Sequence, residues 1–218
     1  FSSRRRHTRC ARWSRGLGDV YKRQLVVTPH YYGGHMTAAA QTAHYTQVAD
    51  NAPIPVILYN VPKFTHINLA PETVGRLAAH PNIIGIKDSS GNVAQLGEYL
   101  NQSAGAEFTV LVGTAGALLG AATLGCPGAV LALANLAADA CVAIMQQVEG
   151  GDIAAAAEVQ RRMIPVNKAV TATYGIAGLK AALEMLGYHG GDPRPPLMPV
   201  NEKERDQIEQ ILKTAQLL

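Results

Sequence analysis

From Leu25 onward the chain alternates short apolar runs with amphipathic stretches, and this rhythm constrains the fold more than any other feature of the sequence. Residues 25–28 (LVVT), 56–60 (VILYN), 83–87 (IIGIK), 108–112 and 128–133 read as five strands. Residues 37–51, 71–79, 93–103 and 115–124 read as the helices that follow the first four of them or lie between them. The strand runs are continuously apolar rather than alternating, as expected where helices cover a parallel sheet. Strand–helix–strand repetition is the pattern of an α/β fold. After Asn135 the pattern turns helical, over 138–149, 153–173, 176–186 and 202–217, punctuated by Gly150, Gly151, Gly175 and a loop at 187–200.

Five parallel strands belong either to an open sheet or to part of a barrel. An open dinucleotide-binding sheet carries G-x-G-x-x-G after its first strand, and none follows residues 25–28. A closed βα barrel needs about eight strands and about 250 residues, so a barrel reading leaves the first strands unaccounted for. The expected organisation is a head at 1–24, a βα region at 25–136, either an open sheet or a partial barrel, and a helical region at 137–218.

Charge separates the head from the rest. Residues 1–24 hold eight of the nineteen basic residues and one acid, a net of +7, while 25–218 carry a net of −4. The head, FSSRRRHTRCARWSRGLGDVYKRQ, has three readings: a nucleic-acid arm, an Arg- and Ser-rich transit segment, or a non-native scar. It lacks an initiator Met and resembles translated sequencing-adapter sequence, so the scar is preferred and the head is left out of the fold reasoning. A nucleic-acid-binding module remains the rival functional class, resting on the head alone.

With 48% hydrophobic and 16% charged residues, the composition excludes a disordered chain. No stretch reaches about 18 apolar residues free of charge, so no membrane-spanning helix is expected. Three cysteines (Cys10, Cys126, Cys141) are too few for a disulfide scaffold; Cys126 and Cys141 are expected to be buried packing residues, and a reducing, cytoplasmic compartment is expected. The seven histidines show no H-E-x-x-H or H-x-x-x-H spacing, and no metal is expected. Asn101-Gln102-Ser103 fits a glycosylation sequon that nothing else supports.

Chemistry gathers at strand ends. Lys87 closes the apolar run IIGIK, where an ammonium is costly to desolvate; burial favours the neutral amine, which can attack a carbonyl and form a Schiff base. On a strand Gly85, Lys87 and Ser89 share a face, with Gly85 leaving room beneath the lysine and Ser89 offering a hydroxyl above it. The bland alternative is a lysine snorkelling to water. Tyr59 ends the preceding strand and is a candidate proton relay, or a core aromatic. Tyr31 and Tyr32 lie in a Gly-rich loop that suits a site wall or plain turn packing. Gly113, in the GTAG of 113–116, is a candidate anion site through backbone N–H groups, or a tight turn. His66 is a weaker site-lining candidate.

TPHYYGG, LYNVP, NIIGIKDSSGN and GCPGAVLALAN, in this order and spacing, resemble the dihydrodipicolinate synthase / N-acetylneuraminate lyase family over residues 25–218. The resemblance implies a TIM barrel with a C-terminal helical extension, of which this chain holds the last five βα units of eight. It implies a cytoplasmic homotetramer that acts on small 2-oxo acids, binds pyruvate on a lysine and uses no cofactor, nucleic acid or membrane. Lys87 matches the Schiff-base lysine, Tyr59 the strand-five tyrosine, Tyr31 a tyrosine that reaches a neighbouring subunit's site, and Val130 a position whose backbone lies against pyruvate; Ser89 and Gly113 complete the substrate-binding candidates on the residues alone, since the GTAG of 113–116 is a lookalike of the family's carboxylate loop after a different strand and is not carried over. Synthases that use aspartate semialdehyde usually carry Arg two residues after the proline of YNVP, where this chain has Phe64, which cannot grip a carboxylate bidentately. The run YGIAGLKAALEMLGYHGG (174–191) resembles the 4-hydroxy-2-oxoglutarate aldolase branch. A pyruvate-releasing aldolase is therefore ranked first, with 4-hydroxy-tetrahydrodipicolinate synthase and the sugar-acid aldolases as alternatives. The family's first three strands and its G-[TS]-[TS]-G-E carboxylate loop have no match, so an N-terminally truncated, inactive fragment of a competent parent is expected. Ile57, Ile83 and Val110 are expected to be left without cover.

Overall fold

The computed structural model describes residues 22–218, so the head up to position 21, and the readings that rest on it, lie outside the described residues. Five strands, β1 (Gln24–Val27), β2 (Val56–Asn60), β3 (Ile83–Asp88), β4 (Thr109–Val112) and β5 (Gly128–Ala129), form one sheet in the order β1-β2-β3-β4-β5. The helices are α1 (Ala38–Asn51), α2 (Pro62–Thr65), α3 (Pro71–Ala78), α4 (Val93–Gln102), α5 (Leu118–Thr123), α6 (Ala138–Glu149), α7 (Ile153–Lys168), α8 (Gly175–Met185) and α9 (Glu202–Thr214). The expected parallel α/β fold with helices at its C-terminal end is present. Two local expectations fail, and one element was not expected. Only two residues of the expected strand 128–133 are strand, and Leu133–Asn135 coils into a 3-10 turn. The expected helix 153–173 is α-helical to Lys168 and continues as a π-turn, Ala169–Thr173. The short α2 went unread, although Pro62 and Pro71 both open helices at the first turn, where a missing N–H costs nothing.

Contacts divide the chain into two compact units, so the boundary expected at 136/137 falls inside the second of them. The first comprises residues 22–86 and 102–108. In it β1 and β2 pair in parallel, with Leu25 opposite Ile57 and Val27 opposite Tyr59. Val56 and Leu58 are fully buried, while Leu25 and Val27 are 46% and 42% exposed. The face that shows Leu25 and Val27 is thus the one that carries Ile57 and Tyr59. Of the residues expected to lack cover, Ile83 and Val110 are instead buried. Their one-face assignment was wrong because continuous apolar runs do not reveal which face a residue takes. Fully buried Tyr45 of α1 donates from its hydroxyl to the Val26 carbonyl and the Thr28 hydroxyl, both at 3.3 Å, which fixes the helix on the end of β1.

The second unit comprises residues 87–101 and 109–218. Here β4 and β5 pair in parallel, with Leu111 opposite Gly128 and Val112 opposite Ala129. Helices α5, α6 and α7 pack in succession, and α7 also packs on the turn Ala115–Ala117. Buried Gln160 of α7 makes that junction: its Nε2 donates to the Ala115 carbonyl (2.9 Å) and its Oε1 accepts from Leu119 N–H (3.1 Å). Caps set the helix starts, with Asp152 accepting from Ala155 N–H and Asn201 and Glu204 forming a reciprocal capping box on α9. Among the described residues no helix is long and apolar enough to cross a membrane.

Candidate active site

Lys87 stands next to the carboxyl end of β3, half-buried, behind the buried run Ile83, Gly85 and Ile86. Two residues on, Ser89 places its hydroxyl in a buried position with no hydrogen-bond partner among the described residues. Gly113, just past the end of β4, closes the group. A Cβ on Gly113 would run into the Ser89 hydroxyl and would lie 2.9 Å from the Asp88 carbonyl oxygen and 3.0 Å from Lys87 Cε. The structure therefore brings Lys87, Ser89 and Gly113 together. It also corrects the reading of Gly113 as an anion site: its N–H already donates to the Asp88 carbonyl at 2.6 Å and is not available to a ligand. Ala117 N–H likewise donates to the Thr114 carbonyl, so GTAG is a tight turn leading into a 3-10 helix. Val130, exposed just after β5, donates its N–H to the Val112 carbonyl at 2.9 Å, which extends the ladder beyond Ala129.

The residue that sequence reasoning missed is Asp88. It is buried immediately after Lys87, where an uncompensated carboxylate would be costly. Ser90 supplies its hydroxyl (2.6 Å) and N–H (3.3 Å) to Oδ2, and buried Gln95 donates to Oδ1 (3.3 Å) while also donating to the Tyr99 hydroxyl (2.7 Å). This is an Asx-type turn braced by α4, and its signal was present in the order D-S-S-G-N. It fixes the backbone on the C-terminal side of Lys87.

The Asp88 carboxylate also reaches Cys126. Burial, and secondarily this negative charge, push the Cys126 thiol up to about 11. Both Cys126 and Cys141 are buried, as expected. At pH 8 Cys126 is expected to react with iodoacetamide about 100-fold more slowly than an ordinary thiol, because only the thiolate attacks. Timed alkylation with peptide mapping checks this. The raised folded-state value also means that the unfolded chain releases this proton first as pH climbs from about 9 towards 11, so the thiol's contribution to stability is lost over that window. Tyr45, pushed up to about 12 by burial against a smaller opposing effect of its Thr28 hydrogen bond, acts in the same sense. An open cavity of about 760 Å³, lined mainly by apolar residues including Cys126, Leu131, Cys141 and Met145, lies in the second unit and does not include Lys87.

Tyr59 and Tyr31 belong to the first unit. Tyr59 is half-buried on β2, and its carbonyl accepts from both the N–H and the hydroxyl of Thr28, each at 3.2 Å. Asn60, fully buried beside it, donates to Asn68 Oδ1 (2.7 Å) and accepts from Leu69 N–H (3.1 Å), which ties the β2 end to the chain entering α3. Three residues beyond Thr28, Tyr31 is 88% exposed and packs edge-on against Tyr32, ring centroids 5.0 Å apart. Phe64 is 67% exposed on α2 with Lys63 Nζ 5.5 Å above its ring, and His66 closes that helix in the left-handed conformation (φ 56°), exposed.

A parallel βα scaffold whose polar groups gather at the carboxyl ends of its strands defines the class: βα folds that place their sites on that rim. The chain belongs to the dihydrodipicolinate synthetase family, whose sequence model matches residues 19–215. It is 35% identical over 194 residues to a protein of Cereibacter sphaeroides named 4-hydroxy-tetrahydrodipicolinate synthase, covering 89% of this chain and 66% of that one. A protein of the same name from an Exiguobacterium species is 38% identical over 177 residues, covering 81% and 59%. The chain thus spans about two thirds or less of the length of these relatives. Among solved structures, dihydrodipicolinate synthase from Thermotoga maritima superposes with a TM-score of 0.86 at 27% identity, covering 99% of this chain and 73% of that one. The Acinetobacter baumannii enzyme complexed with pyruvate superposes with a TM-score of 0.85 at 28% identity, covering 99% and 72%.

Proposed function

We propose that the whole protein is a class I aldolase-type lyase in which Lys87 binds pyruvate as an imine. The observation that carries this reading is the group at the end of β3: a half-buried Lys87, its Cε against Gly113, next to a buried Ser89 hydroxyl that has no hydrogen-bond partner among the described residues. The neutral amine of Lys87 attacks C2 of pyruvate, and the carbonyl oxygen takes a proton to give a carbinolamine. Loss of that hydroxyl as water gives the iminium. A proton then leaves the methyl carbon to form an enamine, whose carbon bonds to an aldehyde carbon while the aldehyde oxygen is protonated. Water finally releases the product and restores the amine; cleavage is the same sequence reversed. The iminium serves as the electron sink, so the chemistry asks for neither metal nor cofactor.

Tyr59 is assigned the proton relay in carbinolamine formation and breakdown. Tyr31, at 88% exposure, is free to serve a neighbouring subunit's site, as the homotetramer reading requires. Another structure similar to this chain is described as a monomeric dihydrodipicolinate synthase variant, so the assembly is to be measured by light scattering. Ser89 and the backbone around Val130 are assigned to the pyruvate side of the site.

For the second substrate, the curated relatives named 4-hydroxy-tetrahydrodipicolinate synthase favour condensation with aspartate semialdehyde. This reverses the order reached from Phe64 and the 174–191 run. Lys63, next to Phe64, keeps a cation on α2 where a guanidinium is missing. Cleavage of 4-hydroxy-2-oxoglutarate stays as the second reading, because Phe64 offers no bidentate grip on a carboxylate. The expected result is a higher kcat/KM for the semialdehyde, and a further rise of about 10-fold in Phe64→Arg, the scale of one charge-assisted hydrogen bond. A clear preference for 4-hydroxy-2-oxoglutarate, with Phe64→Arg inert, restores the other order.

A further inference from the structure

We infer that Gly113 is a positioning residue for Lys87: its missing side chain leaves the socket that holds Lys87 Cε and the Ser89 hydroxyl, and its N–H holds the backbone between them. The inference rests on the reading of Lys87 as the imine-forming amine.

Three contacts meet at one point. A methyl on Gly113 would overlap the Ser89 hydroxyl, stand 2.9 Å from the Asp88 carbonyl oxygen and 3.0 Å from Lys87 Cε. A hydroxyl can rotate away and a lysine chain can change rotamer at small cost. The Asp88 carbonyl cannot withdraw, because it accepts the N–H of Gly113 itself at 2.6 Å. Nor can the Asp88 side chain swing to release it, because Ser90 and Gln95 hold both carboxylate oxygens. The displacement caused by a methyl therefore falls on the two movable groups, Lys87 and Ser89, which are the ones that meet pyruvate. Gly113 has no need of a left-handed backbone that would explain a glycine otherwise, since none is recorded there. Gly128, on the neighbouring strand, is the contrasting case: a Cβ there meets only Leu111 Cδ2 at an ordinary 3.5 Å. Near-attack geometry tolerates little error, since a misplacement of about 1 Å can cost 10²-fold in rate.

The test compares the whole protein with its Gly113→Ala, Gly128→Ala, Ser89→Gly and Gly113→Ala/Ser89→Gly variants. The first readout is the rate of borohydride-trapped pyruvate adduct on the Lys87 peptide as a function of pH. The second needs no pyruvate: the rate and pH midpoint of Lys87 modification by trinitrobenzenesulfonate. Thermal unfolding is recorded alongside. Gly113→Ala is expected to slow trapping by about 10-fold or more and to move the pH midpoint of Lys87 in both readouts. Gly128→Ala is expected to match the unaltered whole protein. In the Ser89→Gly background the alanine is expected to cost less, because one of the overlapping groups is gone. An unaltered rate and midpoint in Gly113→Ala overturn the inference, and so does an equal loss in Gly128→Ala or an undiminished cost in the Ser89→Gly background. Should Gly113→Ala alone fail to fold, folding of the pair supports the socket, and failure of both overturns it. Absence of any adduct in the unaltered whole protein sinks the aldolase reading, while the amine reagent still decides the role of Gly113.

Discussion

In the whole protein, Lys87→Arg is expected to abolish the borohydride-trapped pyruvate adduct and to lower turnover by about 10⁴-fold or more, the scale of removing a covalent nucleophile. Arginine keeps the charge and much of the length, so the half-buried position still holds a cation. Its guanidinium stays protonated and cannot add to a carbonyl. Because β3 is held on its flank by the Gly113 N–H and closed by the Asp88 turn, circular dichroism and melting temperature should stay close to those of the unaltered protein. Adduct on another lysine peptide, with Lys87 unmodified, would transfer the role away from β3.

In the whole protein, Tyr59→Phe is expected to lower kcat by about 10²–10⁴-fold, the usual effect of losing a positioned acid–base group. The fold should survive, because the Thr28 N–H and hydroxyl hold Tyr59 through its backbone carbonyl, which the substitution leaves in place. A variant with normal kcat would make Tyr59 a packing residue of β2.

The strands, the α/β pattern and most helix boundaries were legible because burial under helices leaves continuous apolar runs, and prolines and caps mark where helices begin. The end of β5 was not legible. Residues 130–133 are as apolar as any strand, yet the chain leaves the ladder after Val130 and coils at Leu133–Asn135. Apolar character records burial and not backbone path. The π-turn after Lys168 was invisible for a similar reason, since a π-turn and an α-helix bury the same kind of residue.

Lys87 could be picked from sequence because a lysine closing an apolar strand violates the ordinary cost of desolvating a charge. Ser89 followed from the two-residue period of a strand, which puts it on the same face. Gly113 was found for the wrong reason. A glycine-rich turn after a strand looks like an anion cradle, and nothing local records that its N–H is already bound to Asp88 across 25 positions of sequence. Asp88 was passed over because an acid beside a lysine reads as surface charge until Ser90, Gln95 and burial are seen together. The sequence by itself thus determined the parallel α/β class and the strand-end lysine, because both are written in local runs and in one residue out of place. The tertiary structure alone decided which groups surround that lysine, because contacts between the ends of neighbouring strands depend on register, and register joins residues that the sequence keeps far apart.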